Sequence, residues 1–136
     1  MNLEPYLAFN GTCAEAFRTY AKILGGKLEM MKNGDSPMAD QTPADQRDRI
    51  LHARLDVGGG AVLMGGDAPP QYFTKPQGFS VAIGVKKTSE GERIFRALAE
   101  GGEVKMPFAK TFWAERFGMC IDRFGIPWMV NCETEG

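Results

Sequence analysis

Histidine occurs once in this chain, at His52, and that single imidazole limits the available chemistry. Metal centres built on two or three histidines, and the HExxH arrangement, are excluded for one chain acting alone. Cysteine occurs three times, at Cys13, Cys120 and Cys132, an odd and widely spaced set without a CxxC pair. Reduced, structural thiols are the expectation. A nucleophilic serine or cysteine would need an activating base, and no spacing joins any of them to His52. The clusters Gly58-Gly59-Gly60 and Gly65-Gly66 lack the GxxxxGK[ST] and GxGxxG spacings of phosphate loops, so turns account for them.

Alternation gives the polar residues their direction. In Ile50–Val57 the apolar Leu51, Ala53, Leu55 and Val57 alternate with His52 and Arg54, so a strand would pack the first set on helices and turn the second to the opposite face. In Phe79–Val85 the set Phe79, Val81, Ile83 and Val85 takes one side, and the small Ser80, Ala82 and Gly84 leave room on the other. Along Ala114–Asp122, Phe117, Met119 and Ile121 are expected against the helices, with Arg116 and Gly118 turned away. Two guanidinium forks would suit a carboxylate or phosphonate. His52 is the candidate acid or base. The structural alternatives are a hydrogen-bonded strand histidine, arginines paired with Asp56 or Glu115, and Trp113 and Trp128 in the core.

These strands belong to a chain of 136 residues, enough for one domain. Apolar residues make up 43% and charged residues 24%, as in a globular protein. A formal charge of -1 without a basic run disfavours nucleic acid as the partner. There is no run of about 18 apolar residues and no signal-peptide order at the N-terminus, so no membrane association and a cytoplasmic location are expected.

An internal repeat organises the chain. Strand Leu3–Asn10 leads to a capping box at Thr12 and Glu15, a helix with Ala16, Phe17, Tyr20, Ile23 and Leu24 inward, a stop at Gly25-Gly26, and strand Lys27–Lys32. Strand Phe79–Val85, a capping box at Ser89 and Glu92, apolar Ile94, Phe95 and Leu98, the stop Gly101-Gly102, and strand Glu103–Phe108 repeat that order. Each half closes with a hairpin, Ile50–Val57 with Ala61–Gly65 and Ala114–Asp122 with Ile126–Cys132. The polar insertion Gly34–Asp48 lengthens the first half, and such a loop is usually mobile or functional. The reading is an α+β domain of two tandem βαβββ modules, residues 1–66 and 79–136, with a linker over 67–78.

The residues Pro5-Tyr6-Leu7-Ala8-Phe9, Ala14-Glu15-Ala16-Phe17 with Tyr20 and Leu24-Gly25-Gly26, His52, and above all Phe112-Trp113, Arg116-Phe117-Gly118, Asp122-Arg123-Phe124-Gly125 and Trp128-Met129 carry a resemblance. Together they resemble the vicinal-oxygen-chelate superfamily of glyoxalases, bleomycin-resistance proteins and dioxygenases, in its PhnB-like branch. The resemblance implies a curved sheet forming a U-shaped open barrel with the helices outside, commonly in a homodimer, and a divalent ion in the cavity. Its ligand positions fall on Glu4, Met64, Ser80 and Met129. One carboxylate, one hydroxyl and two thioethers make a poor site for zinc or its neighbours, since a thioether is a soft ligand suited mainly to Cu(I). No metal or other cofactor is therefore expected, and Met64 and Met129 read as adaptable pocket wall.

Glu4, Tyr6, His52, Arg54, Met64, Ser80, Arg116 and Met129 make up the expected binding set, for an unidentified small polar or anionic molecule. Two other functions remain open: a metal-dependent glyoxalase- or dioxygenase-type enzyme, and a non-catalytic structural or interaction protein with a filled cavity.

Overall fold

The computed structural model describes residues 1–133, in two compact units, Met1–Thr74 and a second that begins at Lys75. The first contains β1 (Tyr6–Phe9), α1 (Cys13–Leu24), β2 (Lys27–Lys32), β3 (Ile50–Gly58) and β4 (Ala61–Asp67). The second contains β5 (Val81–Val85), α2 (Thr88–Ala99), β6 (Glu103–Ala109), β7 (Arg116–Ile121) and β8 (Pro127–Cys132). Two four-stranded sheets result, ordered β1-β4-β3-β2 and β5-β8-β7-β6. β1 runs parallel to β4 and β5 to β8, while the hairpin pairs are antiparallel. The chain is thus α+β with two tandem βαβββ modules.

Each helix covers one face of its own sheet. Cys13, Ala16, Phe17 and Tyr20 of α1 are fully buried with Leu7, Phe9, Ala53 and Leu55, and the Phe17 ring meets Phe9 and Tyr20 edge-on. In α2 the buried set is Gly91, Ile94, Phe95 and Leu98, against Trp128, Val130 and Cys120. The second glycine of each helix stop has a packing reason. A side chain at Gly26 would collide with the Asp56 carbonyl, and one at Gly102 with that of Ile121.

Neither expected capping box forms. Thr12 makes no side-chain cap bond, and α2 begins at Thr88, which puts Ser89 inside the first turn. The start of α1 is held from a distance. Asp67 Oδ1 accepts from the backbone N–H of Gly11 at 2.8 Å and of Cys13 at 3.1 Å. A carboxylate is the stronger acceptor and complements the helix dipole, so it displaces a hydroxyl from that role. Asp67 ends β4, which extends two residues beyond the expected Gly65.

Asp67 Oδ2 accepts from Ile50 N at 2.8 Å, where β3 enters the sheet. A bulge lies there, for Met31 pairs with His52 but Lys32 pairs with Ile50, leaving Leu51 over. Ile50 therefore joins the core at 2% exposure while Leu51 is 45% exposed. The expected inward set Leu51, Ala53, Leu55 and Val57 holds only at its centre, since Val57 is also exposed at the hairpin end.

The expected facing of β7 is reversed. Gly118 lies opposite Val130 and Cys120 opposite Trp128, both buried residues of β8, and a Cβ at Gly118 would stand 2.7 Å from the Phe95 ring of α2. Gly118 and Cys120 thus face the helix, and Phe117, Met119 and Ile121 face away. Trp128 is core as expected, with Nε1 donating to Asp122 Oδ2 at 2.8 Å, but Trp113 is 49% exposed in the β6–β7 connection. The 34–48 insertion is tied to Asn33 at its base: Asn33 Nδ2 donates to Gln46 O at 3.0 Å, and the buried Ser36 hydroxyl donates to Asn33 O at 2.8 Å.

Replacing Asp67 by alanine strands three backbone donors, at the turn, at the helix start and at the bulge. Urea unfolding is expected to show a loss of about 2–4 kcal/mol, with Asp67→Asn losing less because it keeps an acceptor oxygen.

Candidate functional site

The helix-free face of the first sheet gathers four of the expected residues. Tyr6 is the register partner of Met64, and Met64 of Arg54, across β1, β4 and β3. His52 precedes Arg54 by two positions on the same face. The Tyr6 and His52 rings stack at 5.9 Å between centroids with an interplanar angle of 30°. The Tyr6 hydroxyl donates a long bond, 3.4 Å, to the carbonyl of Leu51, the bulge residue. The bulge thus supplies the acceptor that fixes the tyrosine beside the histidine. Gly66 is required beneath it, since a Cβ there would stand 2.8 Å from both Tyr6 Oη and Leu51 O. Burial against the sheet, with a lesser contribution from Cys13, raises the Tyr6 pKa above its ordinary value. The phenol therefore stays protonated at neutral pH.

Two residues that alternation along β2 could have revealed complete this face. Met31 is opposite His52 and Glu29 opposite Arg54. A shallow depression of about 340 Å³ is lined by Glu29, Met30, Met31, His52 and Arg54. The Arg54 guanidinium lies 3.7 Å from Asp56, both side chains being about two fifths exposed, so the pair is loose and solvated. His52 makes no hydrogen bond among the described residues. Together they offer one guanidinium, one imidazole, one phenol and a thioether floor, with the Glu29 carboxylate at the rim paired to Lys27 at 3.4 Å, a set that can take a small polar molecule or anion at Arg54 and exchange a proton with it.

The other expected residues are placed differently. Glu4 and Ser80 precede β1 and β5 and belong to no strand. Met129 lies on the helix-free face of the second sheet beside Ala82, its partner in β5, with Gly84 two residues further on the same side. Arg116 does not join that face. It is the register partner of the buried Cys132, and its guanidinium turns back to donate to its neighbour Glu115's carbonyl at 2.7 Å.

The residues do not fit the divalent ion that the resemblance implies. At Met64 the donor would be a thioether, and its register partner Arg54 carries a positive charge that opposes a cation. Among the described residues no three His, Cys, Asp or Glu side chains are grouped to hold a metal. All three cysteines are buried and none forms a disulfide among the described residues. Burial, helped by the nearby Asp67 charge, pushes the Cys13 thiol up to about 12, and burial with Asp122 pushes Cys120 up to about 11. No helix of the described residues is long and apolar enough to cross a membrane.

Comparison with known proteins agrees with this architecture. Residues 1–131 match the family described as 3-demethylubiquinone-9 3-methyltransferase. The chain is 50% identical to protein PA1353 from Pseudomonas aeruginosa, whose crystal structure superposes with a TM-score of 0.91 over 99% of each chain. It is 34% identical over 140 residues to protein YjdN from Escherichia coli, covering 96% of this chain and 95% of that protein. A putative 3-demethylubiquinone-9 3-methyltransferase, PhnB protein, from Bacillus cereus shares the fold at 20% identity, with a TM-score of 0.78 over 97% of this chain and 99% of that one.

With the thiols held so far above neutrality, the thiolate that reacts with electrophiles is scarce. Native protein treated with a maleimide at pH 8 is expected to leave Cys13 and Cys120 unmodified by peptide mass mapping, and to be labelled at both once unfolded in guanidinium.

Proposed function

This chain belongs to the PhnB-like branch of the vicinal-oxygen-chelate superfamily, and on that premise we propose that it binds a small polar or anionic molecule on the helix-free face of its first sheet. The observation that carries the reading is the convergence of Tyr6, His52 and Arg54 over Met64 on one open face. Arg54 holds the anion by its fork, the Tyr6 hydroxyl and His52 ring flank it, and Met64 and Met31 supply adaptable apolar contact. By the internal repeat, Ser80 and Met129 hold the places in the second unit that Glu4 and Met64 hold in the first. Where the bound molecule carries an acidic or basic atom, His52 is the residue placed to exchange a proton with it.

Methyl transfer is not part of this reading. Helix N-termini after a strand are common anion cradles. The start of α1 is not available as one, because Asp67 already occupies the Gly11 and Cys13 amides. A homodimer, as the resemblance implies, and a cytoplasmic location, as the apolar patterning implies, complete the proposal.

The test is thermal melting with millimolar phosphate, methylphosphonate and short carboxylates. At least one of these is expected to raise the wild-type melting temperature by a few degrees. Arg54→Ala is expected to lose the response and Arg54→Lys to keep part of it. Indifference of wild type to all of these anions, or an equal response of Arg54→Ala, contradicts the proposal.

A further inference from the structure

The helix-free face of the second sheet is built from different chemistry. Met106 is the register partner of Met119, and Met119 of Met129, so three methionines are aligned across β6, β7 and β8. Adjacent strands are about 4.8 Å apart, and each methionine has three rotatable bonds with which to bring its sulfur towards the next. Register irregularities flank Met106 on both sides, between Val104 and Met106 and between Met106 and Ala109, yet its pairing with Met119 is kept. At its β5 end the row meets small residues, for the partner of Met129 there is Ala82, and a Cβ at Gly84 would meet no atom within 4 Å. Met106 is 40% exposed, and Met119 and Met129 are partly exposed.

These side chains have lone pairs but neither charge nor a proton to donate. Two residues beyond Met129, on the same face, the Asn131 Oδ1 atom is buried with no hydrogen-bond partner among the described residues. Buried acceptors are nearly always satisfied, so an orphan beside an open surface marks a place for a hydrogen-bond donor or a cation. Three thioethers select against the hard and borderline divalent ions and in favour of a soft, polarisable monovalent one. We propose that Met106, Met119 and Met129 form a binding site for a soft monovalent metal ion, Cu(I) or its analogue Ag(I), with Asn131 at its margin. Binding is by dative bonds from sulfur lone pairs. The ion gives up water or carrier ligands, no proton is released and no oxidation state changes. The site does not depend on Arg54 or the anion reading of the first unit.

Titration of the full chain with silver nitrate in chloride-free buffer, followed by calorimetry, tests this. About one ion is expected per chain, with Met119→Leu and Met129→Leu each weakening binding by at least about tenfold. Leucine conserves the volume of methionine, and an unchanged melting temperature verifies folding. Should either variant fail that check, Met106→Leu provides the same comparison. Met38→Leu and Arg54→Ala are expected to bind as wild type. Absence of binding by wild type, or undiminished binding by the folded Met119→Leu and Met129→Leu variants, overturns the proposal, the latter assigning the ion to the cysteine thiols.

Discussion

Much of the first unit depends on one carboxylate. Asp67 sits at the end of β4 and gathers the amides of Gly11, Cys13 and Ile50, three segments far apart in sequence. It closes the turn after β1, satisfies the exposed start of α1, and holds the first residue of β3 at the bulge. The bulge sends Ile50 into the core and presents the Leu51 carbonyl to the Tyr6 hydroxyl. The open face is therefore ordered from the covered one.

The second unit reaches the same fold by other bonds. Where the repeat puts the counterpart of Asp67 stands Cys132, whose thiol donates to the Lys86 carbonyl at 3.3 Å. Asp122 is the carboxylate that gathers partners there, accepting from Phe124 N, Ile126 N and Trp128 Nε1 at 2.8–3.0 Å. It fixes the β7–β8 turn and anchors the buried indole. Its counterpart Asp56 accepts the turn bond from Gly58 N at 2.9 Å and otherwise faces only the loose ion pair with Arg54 among the described residues. Duplicated modules thus kept backbone geometry while redistributing the polar groups that secure it, and their open faces diverged to a polar set in one and a thioether row in the other.

Local patterns made the repeat, both helices and the shared face of His52 and Arg54 readable from the chain, because each depends on spacing over a few residues. The failures have a common cause, which is that contacts distant in sequence overrode local preference. Thr12 has the right type for a cap, but Asp67, 55 positions later, is the better acceptor. β7 is apolar on both faces, so the larger side chains suggested the wrong inner set. The decisive residue was Gly118, small because the Phe95 ring needs the space. That reversal puts Arg116 on the helix side of its strand, opposite Cys132. Met31 and Glu29 were within reach of the alternation rule, and the pairing of β2 with β3 brings them beside His52 and Arg54.

The proposed binding face of the first sheet presents a guanidinium, an imidazole and a phenol over sulfur, none of which needs a divalent ion. Metal analysis of untagged protein purified without chelator, beside His52→Ala, tests this most directly. Far less than one zinc, nickel, iron or manganese ion per chain is expected in both proteins, equally folded. About one divalent ion per chain in wild type, lost in His52→Ala, would contradict it.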